Sequence, residues 1–239
     1  MPSWGIHIAT ANILLNKLNI PNNQQDSFLL GNLLPDIKNG YIITPEHLTN
    51  VLEHNKTHFS NPMDYVNTTK FSDKSLERFL EEYKTKLNNP VVLGYFTHLL
   101  TDFYWNEYTF TNHYILNTNG EVVGAILTNN QEVECSKKES RSFKHKDFKY
   151  FGYLLCKELK VEVPEKNVNI LKDCCEISEI SINEKELDFT IEYLKDMRKK
   201  IQLPLEQYQY QMFDEKEFKN VFEKNIEFIM KYIAQERKI

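Results

Sequence analysis

The chain has 239 residues (28.4 kDa), of which 41% are hydrophobic, 26% charged and 13% aromatic, with only 7 Gly and 8 Pro. These proportions exclude disordered, collagenous and disulfide-scaffold classes, and a chain of this size buries roughly 70% of the surface its unfolded form exposes, enough for one core. Twenty-nine basic residues face 34 acidic ones, a net charge of −5, which gives no support to general nucleic-acid binding driven by charge.

Helical periods run along most of the sequence. Ile6, Ala9, Ile13 and Leu14 recur at three- and four-residue steps before a polar stop at Pro21-Asn22-Asn23, which predicts a first helix. Asp26 or Ser27 can cap a short helix over Phe28-Leu29-Leu30, which Gly31 and Pro35 should interrupt, leaving a turn at Pro35-Asp36. Pro45-Glu46 reads as the start of a helix running towards His54 and His58. Ser72 or Asp73 can cap a helix through Leu87, with Leu76, Phe79, Leu80 and Tyr83 on one face. Asn89-Pro90 then opens a segment, 91–105, that is apolar on almost all sides and should be a central, buried helix.

The character changes after that. Residues 114–133 hold two short alternating runs with Asn119-Gly120 and Asn129-Asn130, which predicts a small hairpin or a meandering loop. Helical periods return at 148–159, 184–200 and 214–234, the last two with mixed charges on one side and apolar residues on the other, as an outer layer would have. The expected fold class is all-α, a multi-helix bundle forming a single helical domain over residues 1–239, with a small non-helical insertion at 114–133.

Four cysteines form no framework. Cys135 and Cys156 are isolated, while Cys174 and Cys175 are adjacent, a spacing that suits neither a metal motif nor an ordinary disulfide. The N-terminus has no basic region ahead of its apolar stretch, and no run of 18 or more apolar residues occurs. The expectation is therefore a cytoplasmic protein with no secretory signal and no transmembrane segment.

Chemistry can be sought among seven histidines. In His98-Leu-Leu-Thr-Asp102 the two polar side chains are four apart, so a helix puts them on one face, one turn apart. An imidazole and a carboxylate in so apolar a helix need a partner: a shared metal ion or a mutual hydrogen bond. His54 and His58 are also four apart and could chelate one ion, or could mark a helix end where positive charge is favoured by the dipole. His7 opens the first helix and Asp36 follows Pro35. His47, His113 and His145 sit in polar contexts, where solvated surface is the default. No Gly-x-Ser-x-Gly, phosphate-binding loop or dinucleotide fingerprint is present, and no cysteine has a flanking His.

Taken in order, the segments Pro2-Ser3-Trp4-Gly5-Ile6-His7, Gly31-Asn-Leu-Leu-Pro35-Asp36, Thr57-His58-Phe59-Ser-Asn-Pro62 and Leu93-Gly94-Tyr-Phe-Thr-His98-Leu-Leu-Thr-Asp102 resemble the bacterial zinc-dependent phospholipase C family. Its mostly helical fold is shared with single-strand-specific nucleases. The resemblance covers roughly the first 110 residues. It implies two close zinc ions: Asp36, His58 and His98 on one, His7 on the other, and Asp102 bridging both, a donor set that also tolerates iron or manganese. It further implies a metal-dependent phosphoesterase, in which a metal-bound hydroxide attacks a phosphodiester and Asp36 acts as ligand and as the catalytic group that orients or deprotonates water. The implied partner is a small phosphodiester or a phospholipid headgroup.

Three departures from the family pattern stand out. In the secreted enzymes a tryptophan supplies its free amine and carbonyl to zinc, whereas Trp4 here lies behind Met1-Pro2-Ser3. The set that holds a third zinc finds no clear counterpart, Glu107 and His113 being nearby at the wrong spacing. His54 offers a second imidazole beside His58, so either could be the ligand. Alternative functions are a non-enzymatic helical binding protein with a residual metal site, and a single-strand nuclease or nucleotidase.

Overall fold

The computed structural model describes residues 2–61, 71–201 and 207–237, without the side chains of residues 178 and 179. Met1 and Pro62, both named above, lie outside the described residues. In chain order the helices are α1 (Trp4–Lys17), α2 (Gln25–Lys38), α3 (His54–Thr57), α4 (Ser75–Tyr83) and α5 (Pro90–His113). Three short strands follow, β1 (Tyr114–Leu116), β2 (Val122–Ile126) and β3 (Glu132–Glu134). The chain then continues through α6 (Lys137–Leu159), α7 (Ile170–Cys174), α8 (Glu184–Ile201) and α9 (Glu215–Glu236). The fold is mostly α with a small non-helical insertion. Among the described residues, no helix is long and apolar enough to cross a membrane, and all four cysteines are free.

The central helix starts where the sequence says it should. Pro90 occupies its first turn, and the Asn89 side chain accepts from the amides of Val91 and Val92, satisfying donors that have no intrahelical partner. The outer helices are capped in the same way. Ser136 and Glu139 form a reciprocal capping box on α6, and Asp214 accepts from the Glu217 amide at the start of α9.

Helix α2 departs from the expectation, because it runs through both Gly31 and Pro35. Every residue from Ser27 to Lys38 is buried, so the helix lies in the core on all sides. That burial outweighs the cost of the Gly and of the one helical bond that Pro35 cannot make. Gly31 has a packing reason as well. A Cβ there would collide with the backbone of Val91, and one on Gly94 would collide with the Phe28 carbonyl and the Asn32 amide. The two glycines let α2 and α5 cross with their backbones in contact. Gly94→Ala should therefore cost ~2–3 kcal/mol by forcing the helices apart. At the scale expected for this chain length that is a fall in Tm of roughly 5–10 °C, readable by calorimetry. An unchanged Tm would mean that the crossing can widen freely.

The second departure is the segment before His58. No helix runs from Pro45 to His54; a single 3-10 turn (Pro45–His47) is followed by irregular chain with a bend at Thr49-Asn50. Tertiary partners take the hydrogen bonds a helix would have used. Leu52 donates its amide to the Lys38 carbonyl at 2.9 Å, and Thr49 donates its amide to Glu186 Oε1 at 2.6 Å. The predicted hairpin is an antiparallel three-stranded sheet in the order β1-β2-β3, with Tyr114 opposite Ala125 and Gly124 opposite Glu134. Its turns fall at the expected dipeptides, since Gly120, Asn129 and Asn130 all have positive φ.

His113 is a correction. It is buried rather than solvated, donating to the Ile126 carbonyl at 3.0 Å and meeting Glu217 at 2.8 Å. It closes the sheet onto the first turn of α9. A carboxylate does similar work nearby: fully buried Asp147 accepts from Tyr208 and from the amides of Gln211, Met212 and Phe213.

Candidate metal centre

The crossing of α1, α2 and α5 puts His7, Asp36, His98 and Asp102 side by side in the core, and the turn after α3 adds His58. All five are buried. His7 Nε2 lies 3.3 Å from Asp102 Oδ1. His58 Nε2 lies 3.4 Å from Asp102 Oδ2 and 3.6 Å from Asp36 Oδ1. His98 Nε2 is 3.1 Å from His58 Nε2, and the His7 and His98 rings stack at 3.8 Å.

The mutual hydrogen bond considered for His98 and Asp102 is not made. Their closest atoms are 3.7 Å apart, beyond hydrogen-bond range. His98 instead uses Nδ1 to donate to the Asn32 carbonyl at 2.8 Å, which leaves its Nε2 as a bare lone pair aimed into the cluster. The Thr57 hydroxyl lies 2.8 Å from His58 Nδ1 and 3.3 Å from the His54 carbonyl. With that hydroxyl donating to the carbonyl, it accepts from His58 Nδ1, and His58 Nε2 is bare too. Two lone pairs 3.1 Å apart repel unless a proton or a cation sits between them. Both ring nitrogens of His7 and Oδ1 of Asp102 are buried without a hydrogen-bond partner, a costly state that a cation would relieve.

The spacings fit such an ion. Ligand atoms of His58, His98 and Asp102 lie within 4.8 Å of one another, and so do those of His7, Asp36 and His98. Zinc bonds of ~2.0–2.1 Å in tetrahedral geometry put neighbouring donors about 3.3–3.4 Å apart. The separations of 3.1, 3.4 and 3.7 Å in the first group bracket that value. Imidazole and carboxylate together suit zinc, with iron or manganese tolerated. His98 takes part in both groups, whereas the resemblance put it on one ion only.

Burial sets the protonation of the cluster. It drives His58 down to about 3, against the attraction of Asp102, and it drives His98 well below its ordinary value, helped by His7. Burial raises Asp36 to about 6, with His7 opposing and Asp102 adding to the rise. Burial also pushes on Asp102, but the adjacent His7 ring and the electrostatic influence of the His98, His7 and His58 imidazoles outweigh it and hold that carboxyl well below the ordinary range. A metal on Asp36 must therefore displace its proton at mildly acid pH. Zinc titrations at pH 6 in buffers of different ionisation enthalpy should show about half a proton released from Asp36, falling towards none from this group at pH 8. Proton release independent of pH across this window would show that Asp36 does not bind the metal.

The chain is positioned around His58 with some force. Tyr95 on α5 donates its hydroxyl to the Thr57 carbonyl, and Arg78 on α4 donates to the Phe59 carbonyl at 2.9 Å. Phe59 sits at φ 52°, a strained backbone for a bulky residue. The rings of Phe79, Tyr83 and Tyr95 meet it edge-on at 5.2, 6.0 and 6.1 Å. His54 lies outside the donor groups. Its ring stacks on His58 at 3.9 Å and is half-buried at the rim. Glu107 and His113 are not brought together as a further metal set, because His113 is engaged by Glu217. Sequence reasoning missed the supporting roles of Asn32, Thr57 and Tyr95, although all three lie inside the motif segments quoted above.

A buried convergence of three imidazoles and two carboxylates in a mostly helical fold defines a candidate metallohydrolase. Residues 6–154 match the family model described as zinc dependent phospholipase C, and the chain belongs to that family. No curated protein and no solved structure matches the chain. The matched span contains all five donors and ends within α6.

Proposed function

We propose that the protein is a metal-dependent phosphoesterase acting on a phosphodiester, with His7, Asp36, His58, His98 and Asp102 holding two zinc ions. The observation that supports this reading is the spacing of the buried donor atoms of His58, His98 and Asp102, which matches one coordination sphere, beside His7 nitrogens and an Asp102 oxygen that have no hydrogen-bond partner. Zinc, when bound, supplies Lewis acidity towards phosphoryl oxygens and towards water. The chain's own groups do the rest. Asn32 and Thr57 fix the ring faces of His98 and His58. Asp102 stays ionised among the imidazoles. Asp36 would orient the water, or take its proton, through a carboxylate oxygen within hydrogen-bond reach of it.

The test is hydrolysis of bis(p-nitrophenyl) phosphate, with a panel of phospholipids and nucleotides, by zinc-reconstituted protein with and without chelator. Slow, chelator-sensitive turnover is expected, falling at least ~100-fold in His98→Ala, as expected when a group that supports electrostatic stabilisation is lost. If wild type loaded with zinc, iron or manganese is no faster than His98→Ala on every substrate, the enzyme reading fails. A helical binding protein with a residual metal site then takes its place. Activity confined to single-stranded nucleic acid would point to the nuclease reading, which the net charge of −5 does not favour.

A further inference from the structure

Helix α6 brings a lysine into the core beside the metal cluster. Lys144 is 5% exposed, and among the described residues its ammonium hydrogen-bonds a neutral group, Asn106 Oδ1 at 3.4 Å, with Asp102 within electrostatic reach. The rings of Phe148 and Tyr114 lie 5.6 and 6.0 Å from it. Asn106 is four residues beyond Asp102 on α5, so the two share a helix face about 6 Å apart along the axis. The Lys144 ammonium is thereby one helical turn from the carboxylate at the centre of the cluster. Arg141 precedes it by three residues on the same face of α6. Arg141 is exposed and lies within electrostatic reach of Lys144, Tyr114 and the rim histidine His54. Among the described residues, neither Lys144 nor Arg141 makes an ion pair with a carboxylate.

A buried ammonium without a close anion is costly, and an anion bound beside it would relieve that cost. Burial lowers Lys144 to about 8, so it remains mostly protonated at pH 7. The wall next to the donors is thus cationic in a protein whose net charge is negative. A zwitterionic headgroup would bring its own cation against this wall, whereas a group with an extra negative charge would complete it.

We propose that Lys144 and Arg141 form an anion-binding wall of the site and that its substrate is a phosphate ester carrying a further negative charge, not a zwitterion. This rests on the metal reading above and adds the charge class of the substrate. The shared ligand chemistry is an anionic phosphate, whether on a soluble ester or on a lipid.

Calorimetric titration of inorganic phosphate into the zinc-loaded full chain tests it, comparing wild type with Lys144→Met, Lys144→Arg and Arg141→Gln. Phosphate affinity should fall at least ~10-fold in Lys144→Met and ~3-fold or more in Arg141→Gln, with zinc content unchanged, and should be largely restored in Lys144→Arg, following the strength of charge-assisted hydrogen bonds. Arg141→Gln alters an exposed position, so it keeps the test open should Lys144→Met fail to fold. Parallel arms with sn-glycerol 3-phosphate and with phosphatidylglycerol or phosphatidylcholine vesicles separate the sources. Loss confined to the soluble ester assigns a soluble substrate, and loss of binding to phosphatidylglycerol vesicles assigns a lipid. Equal phosphate affinity in Lys144→Met and Arg141→Gln at equal zinc content, or no phosphate binding by zinc-loaded wild type, overturns the wall and leaves the metal site standing. Wild type that takes up no zinc overturns the metal reading, and the wall with it.

Discussion

Asp102→Ala should strip the protein of most of its zinc, while His54→Ala should leave it nearly full. Asp102 is the group to which three imidazoles turn, at 3.3 Å from His7, 3.4 Å from His58 and 3.7 Å from His98. Without it three imidazole rings face one another, and only Asp36, which prefers to be protonated below about 6, remains to balance a dication. The loss should exceed the ~10–100-fold that follows removal of a group merely supporting a ligand. His54 contributes a stacked ring at the rim, not a donor within either group. Elemental analysis of the two purified variants decides the matter. Full occupancy in Asp102→Ala, or complete loss in His54→Ala, would mean that the donors are wrongly assigned.

The largest effect on stability should come from Glu186→Ala, far from the donors in sequence. Lys38 Nζ meets Glu186 Oε1 at 3.2 Å with both side chains almost fully buried, and Asn50 accepts from the same ammonium at 2.9 Å. Truncating the acid strands a charged amine in the core, which costs about 3–5 kcal/mol. That is a Tm lower by roughly 6–20 °C for a chain of this size. Replacing both partners, as in Lys38→Met with Glu186→Leu, should cost much less, because no charge is left unpaired. A single variant as stable as wild type would sink the account. The acid side has a definite sign. Burial acts to raise Glu186, but the Asn183 and Thr49 amides and Lys38 outweigh it and lower its pKa. Its contribution is therefore present above about 4.5, the ordinary carboxylate value, and is lost as pH falls towards the folded value. Wild type should lose stability through that range, and Glu186→Ala should lose less.

The candidate donors were legible as a set through the family resemblance, and only His98 and Asp102 stood out on their own as polar groups in an apolar helix. His98 and Asp102 inside the central helix demanded a partner, and Asp36 ends the apolar run of α2. What could not be read was whatever depends on a distant segment. The chain between Pro45 and His54 has a helix-start signal, yet Glu186, well over a hundred residues later, takes the Thr49 amide. His113 looked solvated because its partner, Glu217, lies on the last helix. Helix α2 was expected to break at its Gly and Pro because local propensity says so, and only its burial on every side reverses that. The choice between His54 and His58 also needed three dimensions, since the spacing treats them alike and only the Tyr95 and Thr57 bonds aim one ring inward.

The backbone contact at Gly31 and Gly94 has a bearing on what the centre will accept. Asp36 rides on one of the touching helices, His98 and Asp102 ride on the other, and at the crossing the two backbones meet directly, pinned by the Asn32 side chain, which donates to Thr97 Oγ1 at 2.9 Å. The gap between the donors is thus set by hard backbone surfaces, with the clearance of a machined joint and not that of a packed cushion. A guest ion has to suit this fixed gauge, because the gauge will not close or open to suit the ion. Two positions that carry no chemistry at all therefore belong to the specification of the metal as fully as the five that would touch it.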